Sequence, residues 1–286
     1  MKPKALITGA AGMLGKDMAK ALEEAFEVIA MSKKGLDITD YTQVQKSLAS
    51  IAPEAVINCA AFTKVDLCED QSQVAFDVNA KGPENLAKAC KKLNIKLIHI
   101  STDYVFDGTA TTPCREDHPP NPINVYGRSK LQGENYITQT CPNHLIVRTS
   151  WLFGKEGPNF IKTMLELSKT RESLQVVNDQ MGRPTYTKDL SMAVLLLLKN
   201  NAQGIVHFAN SGCCTWYDLC CYALKKAGRN KVNVEPISSD RFKRPAKRPK
   251  YSVLNLERFE KITGQRPRPW QEAVDSFLIE IGEYAG

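Results

Sequence analysis

Tyr126 and Lys130 stand i, i+4 in the run Tyr126-Gly127-Arg128-Ser129-Lys130, so on a helix their side chains share one face. Those two types suit one chemistry. A carbonyl that accepts hydride needs a proton at its oxygen, and a phenol, with a pKa of about 10, releases one poorly unless its anion is stabilised. A nearby ammonium favours that anion and lowers the phenol pKa. Thr102, in Ser101-Thr102-Asp103, adds a hydroxyl that can hold the carbonyl against Tyr126. A bare Tyr-x-x-x-Lys is common on exposed helices; order and context give this one weight.

The hydride source is indicated at the other end of the chain. The run Thr8-Gly9-Ala10-Ala11-Gly12-Met13-Leu14-Gly15 follows an apolar strand and opens a helix. Glycines so placed permit a tight turn and let backbone approach a pyrophosphate. The helix N-terminus offers free N–H groups to the anion. Gly9, Gly12, Met13, Leu14 and Gly15 are therefore cofactor candidates. The next strand ends in Met31-Ser32-Lys33-Lys34, where an NAD site usually carries an acid for the ribose 2′-hydroxyl. Ser32 with Lys33 and Lys34 suits a 2′-phosphate instead, so NADPH is expected, with NADH as the alternative; the lesser reading is that both lysines are ordinary exposed loop residues. Asp37-Ile38 can reach adenine. The small residues Cys59, Ala60 and Ala61, at the end of a central strand, leave room for a ligand.

Elements that position these residues can be read along the chain. Lys4–Thr8, Glu27–Met31, Ala55–Asn58, Lys96–Ser101 and His144–Thr149 read as strands. Met13–Glu24, Tyr41–Ile51, Lys81–Leu93 and Asn124–Gln139 read as helices between them. Near-continuous apolar strands alternating with helices imply a parallel sheet covered on both faces. The fold class expected is α/β: a doubly wound parallel Rossmann sheet over residues 1–150, with a smaller C-terminal α/β substrate lobe over 151–286. Within that lobe, Phe160–Lys169, Lys188–Asn200, Trp216–Ala227 and Trp270–Glu283 read as helices, and Val206–Ala209 and Val232–Val234 as short strands. The part around residues 186–202 is expected to return to the main sheet.

Composition narrows the class. Hydrophobic residues make up 43% and charged residues 24%, as in soluble globular proteins. No apolar run approaches the ~20 residues of a membrane span. The N-terminus lacks the features of a signal peptide, so a cytoplasmic location without membrane association is expected. Nine cysteines, an odd and scattered set, read as reduced thiols. Cys213-Cys214 and Cys220-Cys221 lack the pair spacing and histidines of a zinc site, and no metal is assigned. His99, His118, His144 and His207 receive no catalytic role. The net charge is +7, with basic residues gathered at Arg241, Lys243, Arg244, Lys247, Arg248 and Lys250. A solvated loop is one reading; no nucleic-acid motif accompanies it. Positive potential beside a cleft for phosphate-bearing ligands is the better one.

Taken in order, TGAAGMLG, LDITD, NCAAFTKVD, STDYVFDG, NVYGRSK, VRTSWLFG, NDQMGRPT and RPKYSVLN resemble the dTDP-4-dehydrorhamnose reductase family of the extended short-chain dehydrogenase/reductase superfamily. The match runs through nearly the whole chain. The resemblance implies reduction of the C4 ketone of a dTDP-linked 4-keto-6-deoxy sugar, dTDP-4-dehydro-L-rhamnose, with NADPH. Under it Tyr126 is the proton donor, Lys130 its partner and Thr102 the residue that tunes it. Gly12, Met13 and Leu14 line the pyrophosphate, Asp37 and Ile38 the adenosine, and Ala61, Phe62 and Thr63 the nicotinamide side. Asn79 supports the active site, unless it is a helix cap. Thr102, Asp103 and Val105 fall at the substrate. Trp151 packs on the deoxysugar, unless it is core. Arg183 and Arg248 are candidates for the diphosphate. Some members form a magnesium-bridged dimer; no acidic cluster for it is evident, and a homodimer is left open. Two other functions keep the same motifs: a nucleotide-sugar epimerase or dehydratase, and a non-catalytic subunit like the regulatory subunit of methionine adenosyltransferase.

Overall fold

Alternation of side chains along five short strands decides how the sheet is covered. The computed structural model describes residues 2–286. Strands β1 (Lys4–Thr8), β2 (Glu27–Met31), β3 (Ala55–Asn58), β4 (Lys96–Thr102) and β5 (His144–Thr149) are joined by Gly204–His207 in one parallel sheet. Its order is β2-β1-β3-β4-β5-Gly204–His207, so the direction of winding reverses between β1 and β3. Ligands of open α/β sheets bind at such a reversal, outside the carboxyl ends of the strands. Thr8 pairs with Asn58 there, and Thr102 with Thr149 further along the same edge.

One face of the sheet, with Ala5, Ile7, Ile57, Ile98 and Val147, packs on helix α1 (Met13–Leu22) and on a later helix, Thr187–Lys199. The other, with Leu6, Val56, Leu97 and Ile146, packs on α2 (Tyr41–Ile51), α5 (Gly82–Leu93) and Ile137 of α6 (Val125–Thr140). Between β3 and α5 lie two short helices, α3 (Val65–Asp70) and α4 (Ser72–Phe76), and a π-helical turn, Asp77–Lys81. Such a turn inserts an extra residue per hydrogen-bonded loop and often marks a functional position.

A second core holds the C-terminal part together. Leu174 and Val176 of strand Ser173–Val177, which pairs in parallel with Asn233–Ile237, pack on α7 (Phe160–Leu167) and on helices α9 (Trp216–Lys226) and α11 (Trp270–Glu280); α8 is Thr187–Lys199 and α10 Glu257–Thr263. All nine cysteines are free thiols. Among the described residues no group of His, Cys, Asp and Glu is arranged to hold a metal, and no helix is long and apolar enough to cross a membrane.

Candidate active site

Helix α6 begins where the chemistry is expected, and its start is held by side chains from elsewhere. Asn124 caps it, accepting the Gly127 N–H at 2.7 Å, and its amide donates to the Lys247 carbonyl at 2.7 Å. Glu69 of α3 accepts the Val125 N–H at 2.8 Å. Two of the amides left open at a helix start are thus satisfied. Gly127 has no room for a side chain, since a Cβ would sit 2.1 Å from the Tyr104 carbonyl oxygen. Tyr126 thereby lies against the turn that follows β4, its ring meeting that of Tyr104 edge-on at 5.7 Å.

Thr102 ends β4 beside Tyr126. Burial pushes the phenol of Tyr126 upward, the Thr102 hydroxyl pulls the other way, and the Asp103 charge adds to the upward push. At neutral pH the phenol therefore keeps its proton. Thr102 Oγ1 donates to Asp103 Oδ1 at 3.1 Å and accepts the Tyr104 N–H at 3.1 Å. Asp103 also accepts from Ser252 Oγ at 2.5 Å. Burial raises its carboxyl to about 7, against those hydrogen bonds.

Lys130 lies one turn along α6 from Tyr126, with its amine drawn into the sheet. It is 1% exposed and its Nζ donates to the Ile100 carbonyl at 2.7 Å and lies 3.1 Å from His99 Nε2. The i, i+4 spacing puts it on the Tyr126 face of the helix, and its long stem carries the amine to β4. Behind it, Glu134 forms a buried ion pair with Arg148 of β5 (2.6 Å) and accepts from Ser101. Asn79, in the π-helical turn, caps no helix. Its Oδ1 accepts the Phe62 N–H at 2.8 Å, and its Nδ2 donates to the Phe62 carbonyl at 3.0 Å and to Ser129 Oγ at 3.1 Å. It ties the loop after β3, which carries Cys59, Ala60, Ala61 and Thr63, to the catalytic helix.

The turn after β1 fits a dinucleotide. Gly9 has φ +67°, and a Cβ on it would lie 2.5 Å from the Ala60 backbone nitrogen. A Cβ on Gly15 would lie 2.4 Å from the Gly9 carbonyl oxygen. Gly12 caps α1 without a side-chain acceptor, so Met13, Leu14 and Gly15 begin a helix whose first amides are open to an anion. Ser32 closes β2, and Lys33 and Lys34 are exposed beyond it, Lys33 3.7 Å from Asp37. Asp37 accepts Thr39 N–H and Oγ1. Ile38 is buried and packs where a side chain on Gly82 would stand.

A cleft of about 950 Å³ lies between the two cores, lined among others by Tyr104, Phe160, Met164, Trp216, Lys243, Lys247, Arg248 and Lys250. The basic loop thus forms its wall. Arg248, expected at a diphosphate, lines it but is bound in a fork by Asp66, at 2.9 Å to each carboxylate oxygen. The lysines of the loop are the more available cations. Arg183 is not part of this wall; its Nη1 donates to the Gly212 carbonyl at 2.6 Å, and its Nε has no partner among the described residues. Val105 is fully buried with Phe106 and Leu254 and does not line the cleft. Trp151 adopts φ +48°, a left-handed conformation that costs about 1–3 kcal/mol outside glycine. Trp216 stacks on it at 3.6 Å and Gly182 lies against its Cε2 edge. One face of Trp151 is therefore covered, and Trp216, which the sequence alone did not single out, is the indole on the cleft wall.

A doubly wound sheet with a glycine turn opening α1, and with Tyr126, Lys130 and Thr102 at the carboxyl edge of β4, defines a short-chain dehydrogenase/reductase of the extended type. Over residues 3–282 the chain matches the RmlD substrate binding domain, and it belongs to that family. It is 41% identical to the spore coat polysaccharide biosynthesis protein SpsK of Bacillus subtilis, over 97% of each chain. It is 40% identical to the dTDP-4-dehydrorhamnose reductase of Streptomyces griseus, over 98% of this chain and 95% of that one. The crystal structure of dTDP-4-dehydrorhamnose reductase from Bacillus anthracis in complex with NADP superimposes with a TM-score of 0.95 at 41% identity, covering 98% of this chain and all of that one.

Proposed function

We propose that the protein reduces the C4 ketone of dTDP-4-dehydro-L-rhamnose to dTDP-L-rhamnose with NADPH, in the cytoplasm, as the final step that makes this activated sugar. The observation that carries the reading is the meeting of Thr102 and a protonated Tyr126 at the sheet edge that also carries the dinucleotide turn, with Tyr104, edge-on to Tyr126, lining a cleft walled by lysines. Relatives named as this reductase along nearly the full chain support it.

The cofactor, when bound, supplies hydride. Gly9, Gly12, Met13, Leu14 and Gly15 would hold its pyrophosphate, Asp37 and Ile38 would border the adenosine, and Cys59, Ala60, Ala61 and Thr63 the nicotinamide side. Thr102 orients the ketone, and Tyr126 Oη holds the proton that the new alcohol needs. Asp103 fixes the Thr102 hydroxyl, and Asn79 holds the loop and helix on either side of the reaction. Lys243, Lys247 and Lys250 meet the diphosphate, with Arg248 held by Asp66 behind them. Trp216, backed by Trp151, gives an apolar surface for a sugar that carries a methyl group. Residues 1–150 carry the cofactor and most of 151–286 the substrate, with the stretch around 186–202 serving the sheet; assembly as a homodimer is compatible with this arrangement.

The assay is direct. The protein with NADPH and dTDP-4-dehydro-L-rhamnose should consume the cofactor's absorbance and yield dTDP-L-rhamnose. The free 4-keto sugar should react poorly, because binding energy from the remote nucleotide supports the chemical step. Oxidation with a different 4-keto sugar nucleotide, and none with this one, would move the protein to a neighbouring reductase. No oxidation with any of them would favour a binding subunit.

Cofactor choice has its own test. Among the described residues Lys34 forms no ion pair, and Lys33 has Asp37 alone, at 3.7 Å. The double change Lys33→Glu, Lys34→Glu should raise the Kd of NADPH by at least about tenfold more than that of NADH, a difference of ~1.4 kcal/mol. Equal weakening of both cofactors would show that neither lysine meets the 2′-phosphate.

A further inference from the structure

His99 lies in β4, fully buried, between the cofactor turn and the catalytic lysine. Its two ring nitrogens have unlike neighbours. Nδ1 is 2.9 Å from Asn58 Nδ2, and Nε2 is 3.1 Å from Lys130 Nζ. The orientation of Asn58 follows from a backbone group. The Ala60 N–H donates to Asn58 Oδ1 at 3.1 Å, and Thr8 Oγ1 donates to the same atom at 2.7 Å. A backbone amide is only a donor, so the atom it meets is the carbonyl oxygen, and the Asn58 NH₂ is left facing His99. His99 Nδ1 must then accept. In a neutral imidazole the one proton sits on Nε2, which points it at an amine that, as an ammonium, has protons alone to offer.

We propose that His99 is a positioning residue for the catalytic lysine: locked by Asn58 as the Nε2–H tautomer, it turns a hydrogen-bond donor on Lys130 Nζ and so favours the neutral amine over the ammonium. The inference deepens the reductase reading and rests on it only for the importance of Lys130. The line Thr8–Asn58–His99–Lys130 runs from the end of β1, where the glycine turn begins, to the catalytic helix. A displaced Ala60 amide would free Asn58 to rotate, reverse the tautomer and give Lys130 an acceptor. The charge of the lysine is thus tied to the backbone that abuts Gly9.

The other groups around the amine leave this intact. Burial and the Lys130 charge hold His99 well below its usual range, so it stays neutral. Cys59, from the end of β3, is pushed up to about 12 by burial and remains a thiol. Glu134, on the same helix, favours the ammonium, but Arg148 of β5 and Ser101 of β4 engage its carboxylate. Lys130 is brought down to about 8, burial being the main cause and Glu134 opposing it.

Two substitutions test the idea by different routes. His99→Gln lets a side-chain carbonyl turn to the amine. Asn58→Asp keeps an acceptor for Ala60 and turns a second acceptor on His99, which holds the ring proton on Nδ1 and leaves Nε2 as an acceptor. Both should raise the pKa of Lys130 by about one unit, the size of an ordinary environmental shift. The first readout needs no substrate: an NMR titration of lysine labelled at Cε, with Lys130 assigned by its loss in Lys130→Met, and the nitrogen shifts of labelled histidine for the tautomer. The second is the basic limb of kcat/KM, which should move up by the same interval. An Nδ1–H tautomer in the unmodified protein overturns the proposal. So does a Lys130 pKa, and a basic limb, unmoved in both variants while turnover falls, since that is the mark of a merely structural role.

Discussion

Tyr126→Phe is expected to turn over about 10²–10⁴ times more slowly while binding NADPH almost as before, that range being the usual worth of a positioned general acid. The size of the effect follows from how completely the phenol is prepared. Burial keeps its proton in place at neutral pH, and the Thr102 hydroxyl beside it favours release. Phenylalanine preserves the edge-on contact with Tyr104 and the fit of α6 on β4, so the fold is not the cause of the loss. The check is single-turnover reduction with NADPH held in excess, paired with a direct cofactor titration. Turnover within a few-fold of the parent would remove Tyr126 from the chemistry. A parallel loss of cofactor affinity would instead point to a disturbed helix start.

Glu134→Ala is expected to lower stability by about 3–5 kcal/mol, because it leaves a buried guanidinium without its counter-ion. The Glu134 and Arg148 side chains are 2% and 3% exposed and meet at 2.6 Å, with Arg148 Nε also within 3.0 Å of the carboxylate. Arg148 Nη1 already has no partner among the described residues. The Phe106 ring also lies 5.3 Å from the guanidinium carbon. Urea denaturation gives the number. Replacing both residues, Glu134→Leu with Arg148→Met, should recover much of the loss, since an apolar pair of similar volume is often as stable as a buried ion pair. An unchanged urea midpoint in Glu134→Ala would mean that water reaches Arg148.

The sheet was legible because its inner strands are buried on both faces and read as unbroken apolar runs: Lys4–Thr8, Ala55–Asn58 and His144–Thr149 appear with those bounds, as does the more exposed edge strand Glu27–Met31, and β4 extends one residue further to Thr102. The stretch Val65–Phe76 was not read as helical, since two helices of six and five residues are too short to show a period. The π-helical turn before α5 was invisible for a related reason, as it arises from packing against α6, where a Cβ on Gly133 would sit 2.2 Å from the Asn79 carbonyl oxygen. At the site, spacing placed Tyr126 and Lys130 on one face but could not say where a flexible amine ends. Arg248 read as an anion-binding cation because its partner, Asp66, lies 182 residues away in the chain. Trp151 stood out by its motif, whereas the stacked pair it forms with Trp216 exists only in three dimensions. The glycine turn needed no such context, as backbone geometry alone demands those residues.

Asn124 has one hand on each half of the active site. Its carbonyl oxygen starts the catalytic helix and its amide grips Lys247 in the cleft wall, while Asp66 clasps the same loop at Ala246 and Arg248. Residues 241–250 are consequently not a detachable module. A chimera that imports this loop from a relative to change nucleotide preference also replaces the anchor of the helix that carries Tyr126. Grafts that preserve a carbonyl opposite Asn124 and an arginine opposite Asp66 keep the two halves in step; grafts that do not will register as defects in turnover, although no reacting residue has been touched.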